Sequence, residues 1–127
     1  MLKVIKSRKK ASYIMREIYA AVVSLGGNTS KCGYSYLASS GKIIKGLGRF
    51  PRNELMEKIY EPIAKLYHTK PNLVAREIAR AVEEIYDHGD RERLEAMLGH
   101  RLSAKPTPAE VMQSLANSLS FGQDAIL

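Results

Sequence analysis

The sequence predicts an all-α fold, and three observations predict it. Apolar residues recur at steps of three and four along most of the chain. Helix-capping signals stand at the ends of those stripes. No alternating segment is long enough to make a convincing strand. The 127 residues, 45% hydrophobic and 26% charged, suit one globular domain able to bury a core unaided.

From Ser12, the residues Ile14, Ile18, Val22 and Leu25 mark the inner stripe of a first amphipathic helix, which Gly26-Gly27-Asn28-Thr29-Ser30 stops. A weaker second helix covers about 34–45, apolar at Tyr34, Leu37, Ile43 and Ile44 but diluted by Ser39, Ser40 and Gly41. Gly46 through Pro51 reads as a loop. Its glycines are no phosphate cradle, since no strand precedes them and no Lys-Ser/Thr follows. Asn53 caps a third helix with Leu55, Met56, Ile59 and Tyr60, and Pro62 is expected to end it and open a fourth through Tyr67.

His68-Thr69-Lys70-Pro71 is then a tight connection to the best-defined helix, about 72–86. Its inner face is Val74, Ile78, Ala81, Val82 and Ile85, and Gly89 is its stop. Its other face is Asn72, Arg76, Ala79, Arg80 and Glu83. Asp90 caps a short helix with Leu94, Met97 and Leu98, closed by Gly99. Thr107-Pro108-Ala109-Glu110 is a capping box for a last helix through Leu119. The expected organisation is a basic arm over 1–10, a helical domain over 11–120 and a tail over 121–127.

Composition narrows the function. The net charge is +7, and it is uneven: residues 1–58 hold 12 basic and 3 acidic side chains, residues 59–127 hold 8 and 10. Lys3, Lys6, Arg8, Lys9 and Lys10 stand in the first ten positions with no acidic residue among them. Such a run serves as a solubilising tail or as a binding arm, and the total points to a polyanion, nucleic acid ahead of acidic membrane. The single Cys32 allows no internal disulfide, and no apolar run approaches a membrane span. A cytoplasmic protein is expected.

Enzymatic readings are weak. His68, His88 and His100 lack the spacing of metal ligands, and Cys32 reads as a small packed side chain. Glu83, Glu84, Asp87, Asp90, Glu92 and Glu95 suit a solvated face or pairing with Arg91 and Arg93. No catalytic set, metal or cofactor is expected. The segment from Pro62 to Tyr86 is different: a short helix, a connection of about four residues and a long helix match the geometry that presents a second helix to the major groove. Arg76 and Arg80, one turn apart on its outer face, are of the type that donates two hydrogen bonds to guanine.

Four blocks carry a resemblance. They are Leu25-Gly26 ahead of Gly33-Tyr34-Ser35-Tyr36-Leu37; Ile63-Ala64-Lys65; Val74 through Glu83 leading to Gly89; and Leu98-Gly99 followed by Lys105-Pro106-Thr107. In this order, from about Ser12 to Leu119, the chain resembles the C-terminal DNA-binding effector domain of the stage-zero sporulation master response regulators. The resemblance implies a six-helix domain whose helix-turn-helix reads the major groove of double-stranded DNA. It also implies copies side by side on repeated boxes, transcriptional regulation, and contact with RNA polymerase.

The recognition helix departs from that family's pattern. Only Arg76 carries over; Leu73 and Ala75 stand where the family uses an arginine and a glutamate to contact DNA, and Ala79-Arg80 where it has Arg-His. The expected contacts are therefore Lys70, Asn72, Leu73, Ala75, Arg76, Ala79 and Arg80, with the arm, on a sequence other than the family's box. About ten residues precede the first helix, too few for the family's phosphorylated receiver domain. If the chain is complete, regulation comes from abundance, a partner or a ligand. The alternatives are a protein-interaction module on the same scaffold without base readout at Leu73 and Ala75, and a nonspecific nucleic-acid binder working through its arm.

Overall fold

The structure is a computed structural model that describes the backbone of residues 14–126 and the side chains of residues 14–118; the basic arm expected over 1–10 lies outside the described residues. Six helices follow in order: α1 (residues 14–24), α2 (Cys32–Leu47), α3 (residues 55–66), α4 (Pro71–His88), α5 (Arg91–Leu98) and α6 (Pro108–Ile126). Among the described residues there is no strand, only an isolated antiparallel bridge between Gly26 and Gly89. The fold is all-α, as the periodicity requires.

Two local expectations are corrected. Pro62 does not separate two helices, because the turn before it is wound wide: the Glu61 N–H bonds the carbonyl of Met56, five residues back, across a π-helical segment Met56–Tyr60. A proline inside a regular helix lacks a donor and crowds the carbonyl four residues back. Entering after a widened turn, it meets a register already shifted. Two expected helices thus merge, and the count falls to six.

The second correction concerns α2, which starts at Cys32 and runs through Gly46 and Leu47, so the loop expected from Gly46 begins only after them. The residues that diluted its apolar stripe lie inside the molecule. Ser39 and Ser40 are buried. Ser40 Oγ donates to the Leu37 carbonyl at 2.6 Å, so no polar group is stranded. Small side chains let α2 sit at the centre, packed against α3, α4 and α6. Cys32, expected to pack, is instead exposed at the first position of this helix.

The core gathers Ile18, Val22 and Leu25 of α1, Tyr34 and Leu37 of α2, Ile59 and Ile63 of α3, the inner face of α4, Leu94 of α5, and Val111, Met112 and Leu115 of α6. Each large aliphatic residue buried here contributes roughly 1.5–3 kcal/mol. Asp90 caps α5 by accepting from the Arg93 N–H at 3.1 Å, and Thr107 Oγ1 accepts from the Glu110 N–H at 3.2 Å at the start of α6. The last helix extends beyond Leu119 into the segment assigned to a tail.

Candidate nucleic-acid interface

α3 and α4 form a helix-turn-helix, and the turn is made by backbone bonding. The His68 N–H reaches the Lys65 carbonyl at 3.4 Å and the Thr69 N–H reaches Ala64 at 2.9 Å. Those two bonds make a Schellman ending, with His68 in the left-handed position at φ 56° that glycine or asparagine more often takes. Tyr67 fixes the turn to α2: its ring meets that of Tyr36 edge-on at 5.0 Å, and its hydroxyl lies 3.2 Å from Ser39 Oγ. Lys70 is extended, and Pro71 opens α4 with φ already suited to a helix.

α4 then divides by face as its periodicity predicts. Val74 and Ile78 are fully buried, and Ala81, Val82 and Ile85 nearly so. Lys70, Asn72, Arg76, Ala79 and Arg80 are exposed, while Leu73 and Ala75 are half-buried at the flanks. Arg80 pairs with Glu77 at 3.1 Å. Among the described residues no carboxylate, ring or hydrogen-bond acceptor holds Arg76. The first turn of α4 carries no acidic residue, so nothing there repels a phosphate.

The far end of the helix is built differently. Glu83 pairs with Lys105 of the loop before α6 at 3.1 Å. Glu84 accepts from the Asn28 N–H at 3.2 Å and faces Lys31 at 3.9 Å. The pairing of this acidic run with Arg91 and Arg93 is not what forms: Arg91 lies 3.7 Å over the Tyr86 ring and donates to the Tyr86 carbonyl at 2.8 Å. Tyr34 donates to the Gly26 carbonyl at 2.9 Å, and its phenol is pushed up to about 12 by burial first and by the charge of Glu84 second.

Two glycines decide how closely α4 is held. A methyl on Gly33 would collide with the Glu77 carbonyl, so only glycine lets α2 cross α4 at this distance. A methyl on Gly89 would collide with the carbonyls of Leu25 and Ile85. Gly89 does stop α4, but in extended rather than left-handed backbone; its use is close approach to the α1–α2 connection, where the Asp90 N–H bonds the Leu25 carbonyl at 2.8 Å. Lys31, Asn28 and Lys105, which pin the back of α4, were beyond sequence reading, because their partners stand more than twenty residues away and no local pattern joins them.

The three histidines lie exposed in the turn, at the end of α4 and in the loop after α5. No helix of the described residues is long and apolar enough to cross a membrane. A family model described as Sporulation initiation factor Spo0A C terminal matches residues 18–119. That family is a DNA-binding domain of a transcription regulator, not an enzyme.

Proposed function

The chain belongs to the Spo0A C-terminal family, a DNA-binding one, and from that premise we propose that it is a sequence-specific transcriptional regulator that sets α4 in the major groove. The observation that carries this reading is Arg76. It is exposed in the first two turns of the second helix of the motif, with no intramolecular partner among the described residues, on a helix whose opposite face is buried. A guanidinium so placed is free to donate two bonds to the O6/N7 edge of guanine. Arg80, drawn toward Glu77, is aimed differently and suits a phosphate.

Lys70 and the basic arm, Lys3, Lys6, Arg8, Lys9 and Lys10, add sequence-independent contacts to the duplex backbone. Deleting residues 1–10 lowers affinity for all sequences and reduces the log–log salt slope by ~0.9 for each phosphate that the arm no longer neutralises. An unchanged slope returns the arm to a solubilising role. Side-by-side binding on tandem sites and contact with RNA polymerase belong to the same reading.

The interaction-module reading has its own observation: Met15, Tyr19, Val23 and Tyr67 line an open, mostly apolar groove between α1 and the turn. Selection from a random duplex pool at moderate salt separates the two. A regulator enriches a defined sequence; a protein-interaction module enriches none.

A further inference from the structure

The presented face of α4 is not a uniform basic surface. Asn72, Arg76 and Ala79 follow one another at steps of four and three, and all three are exposed. They therefore lie in one row along the outside of the helix, with centres about 6 Å and 4.5 Å apart along its axis. Asn72 and Arg76 have no intramolecular partner among the described residues. Each member of the row offers a different chemistry: an amide that both donates and accepts, a guanidinium that only donates, and a bare methyl.

Those three chemistries match three different base edges in the major groove. Asparagine pairs with adenine N6/N7, arginine with guanine O6/N7, and an alanine methyl packs on the C5 methyl of thymine. Arg80 does not crowd the methyl, because Glu77 holds its guanidinium at 3.1 Å. Glu83, one turn beyond Ala79 on the same face, is paired with Lys105 at 3.1 Å.

We propose that this row is a three-letter reader in which Ala79 is a specificity-determining residue: it selects thymine by its methyl, beside the guanine taken by Arg76, with adenine on the Asn72 side. The inference rests on the reading of α4 as a recognition helix and goes beyond it by stating which bases the helix prefers and by which group. It also gives a positive role to apolar character on a face where absence of readout was the competing reading.

The test alters the DNA, so that folding of the protein is not at stake. The preferred duplex from random-pool selection is remade with deoxyuridine in place of each thymine, which removes only the methyl, and with 7-deaza bases in place of guanine or adenine, which removes only N7. The expected result is a loss of about fourfold in affinity at one thymine next to the guanine, the equivalent of one buried methyl, together with losses at one guanine and one adenine. Ala79→Gly, confirmed folded by its circular dichroism, is expected to bind the thymine and uridine duplexes equally.

A preferred site without thymine beside guanine overturns the proposal. So does wild-type protein indifferent to every deoxyuridine, or an Ala79→Gly protein that keeps the uridine effect. If 7-deazaguanine still weakens binding in those cases, the regulator reading survives and only the three-letter reader fails. If no sequence is enriched at all, both fall.

Discussion

At its C-terminal end α4 is gripped from several sides: Gly89 lies against the Leu25 carbonyl, Glu84 takes the Asn28 N–H and faces Lys31, and Glu83 is tied to Lys105. At its N-terminal end only the inner face is held, and Lys70, Asn72 and Arg76 project with no partner among the described residues. A helix is made both rigid and available in this way. Glu83 and Glu84 at the back are engaged by contacts inside the domain, so these two carboxylates anchor the helix and are partly neutralised toward a polyanion. At the front, Lys70, Asn72 and Arg76 spend none of their polar groups on the fold, while Arg80 pairs with Glu77.

Part of the likeness to the family lies at the gripped end, although Arg76 at the front is also shared. Leu25-Gly26, Tyr34 and Gly89 meet at the gripped end, where close approach and the bond from Tyr34 to the Gly26 carbonyl leave little choice of side chain, and Gly33 lies further forward against the Glu77 carbonyl. The departures, Leu73, Ala75 and Ala79, fall on the front half. If α4 is the recognition helix, departures at these positions alter the bases that it reads while the fold is kept.

If the back is an anchor, breaking it must cost stability and spare readout. Gly89→Ala is expected to have the largest effect, about 2–3 kcal/mol in chemical denaturation, because the added methyl meets two backbone carbonyls that cannot turn away. Whatever folded protein remains should select the wild-type sequence. A stable variant with altered selection would break the division.

Next comes the alkaline limb of stability. The Tyr34 phenol sits at about 12 in the fold against 10.0 for the free side chain, so the folded state keeps a proton that the unfolded state releases. The contribution is complete below pH 10 and is lost as the pH rises from 10 toward 12. In Tyr34→Phe the loss of stability between neutral pH and about pH 11 is expected to be smaller than in wild type. An equal loss in both proteins would remove Tyr34 from the anchor. The smallest effect belongs to Lys105→Ala, since that ion pair is about half exposed on both sides. Roughly 0–1 kcal/mol, falling with salt, is expected.

Much of this was legible in the sequence. The inner face of α4 repeats at helical spacing over about three turns, from Val74 to Ile85, so its burial and the exposure of Arg76 both follow from period alone. The caps at Asp90 and Thr107 are local chemistry and were equally readable. What was not readable depends on distance or on context. The centrality of α2 was hidden because Ser39 and Ser40 look like dilution, whereas small residues are what allow three helices to crowd one. The passage of α3 through Pro62 was hidden because the widened turn that admits it has no residue signature. That Arg76 is left without a partner while Arg80 is not depends on which neighbours each can reach, and only the folded chain decides it.

The central claim is that the front of α4 reads bases and that Arg76 reads one of them. Binding-site selection carried out in parallel on wild type and Arg76→Ala tests it most directly. A defined sequence is expected for the wild type, with a loss of about 1–3 kcal/mol for the variant on that sequence and relaxed choice at a single base pair, the others unchanged. Selection of the same base at every position by the Arg76→Ala protein, or no enriched sequence from the wild type at moderate salt, would contradict it.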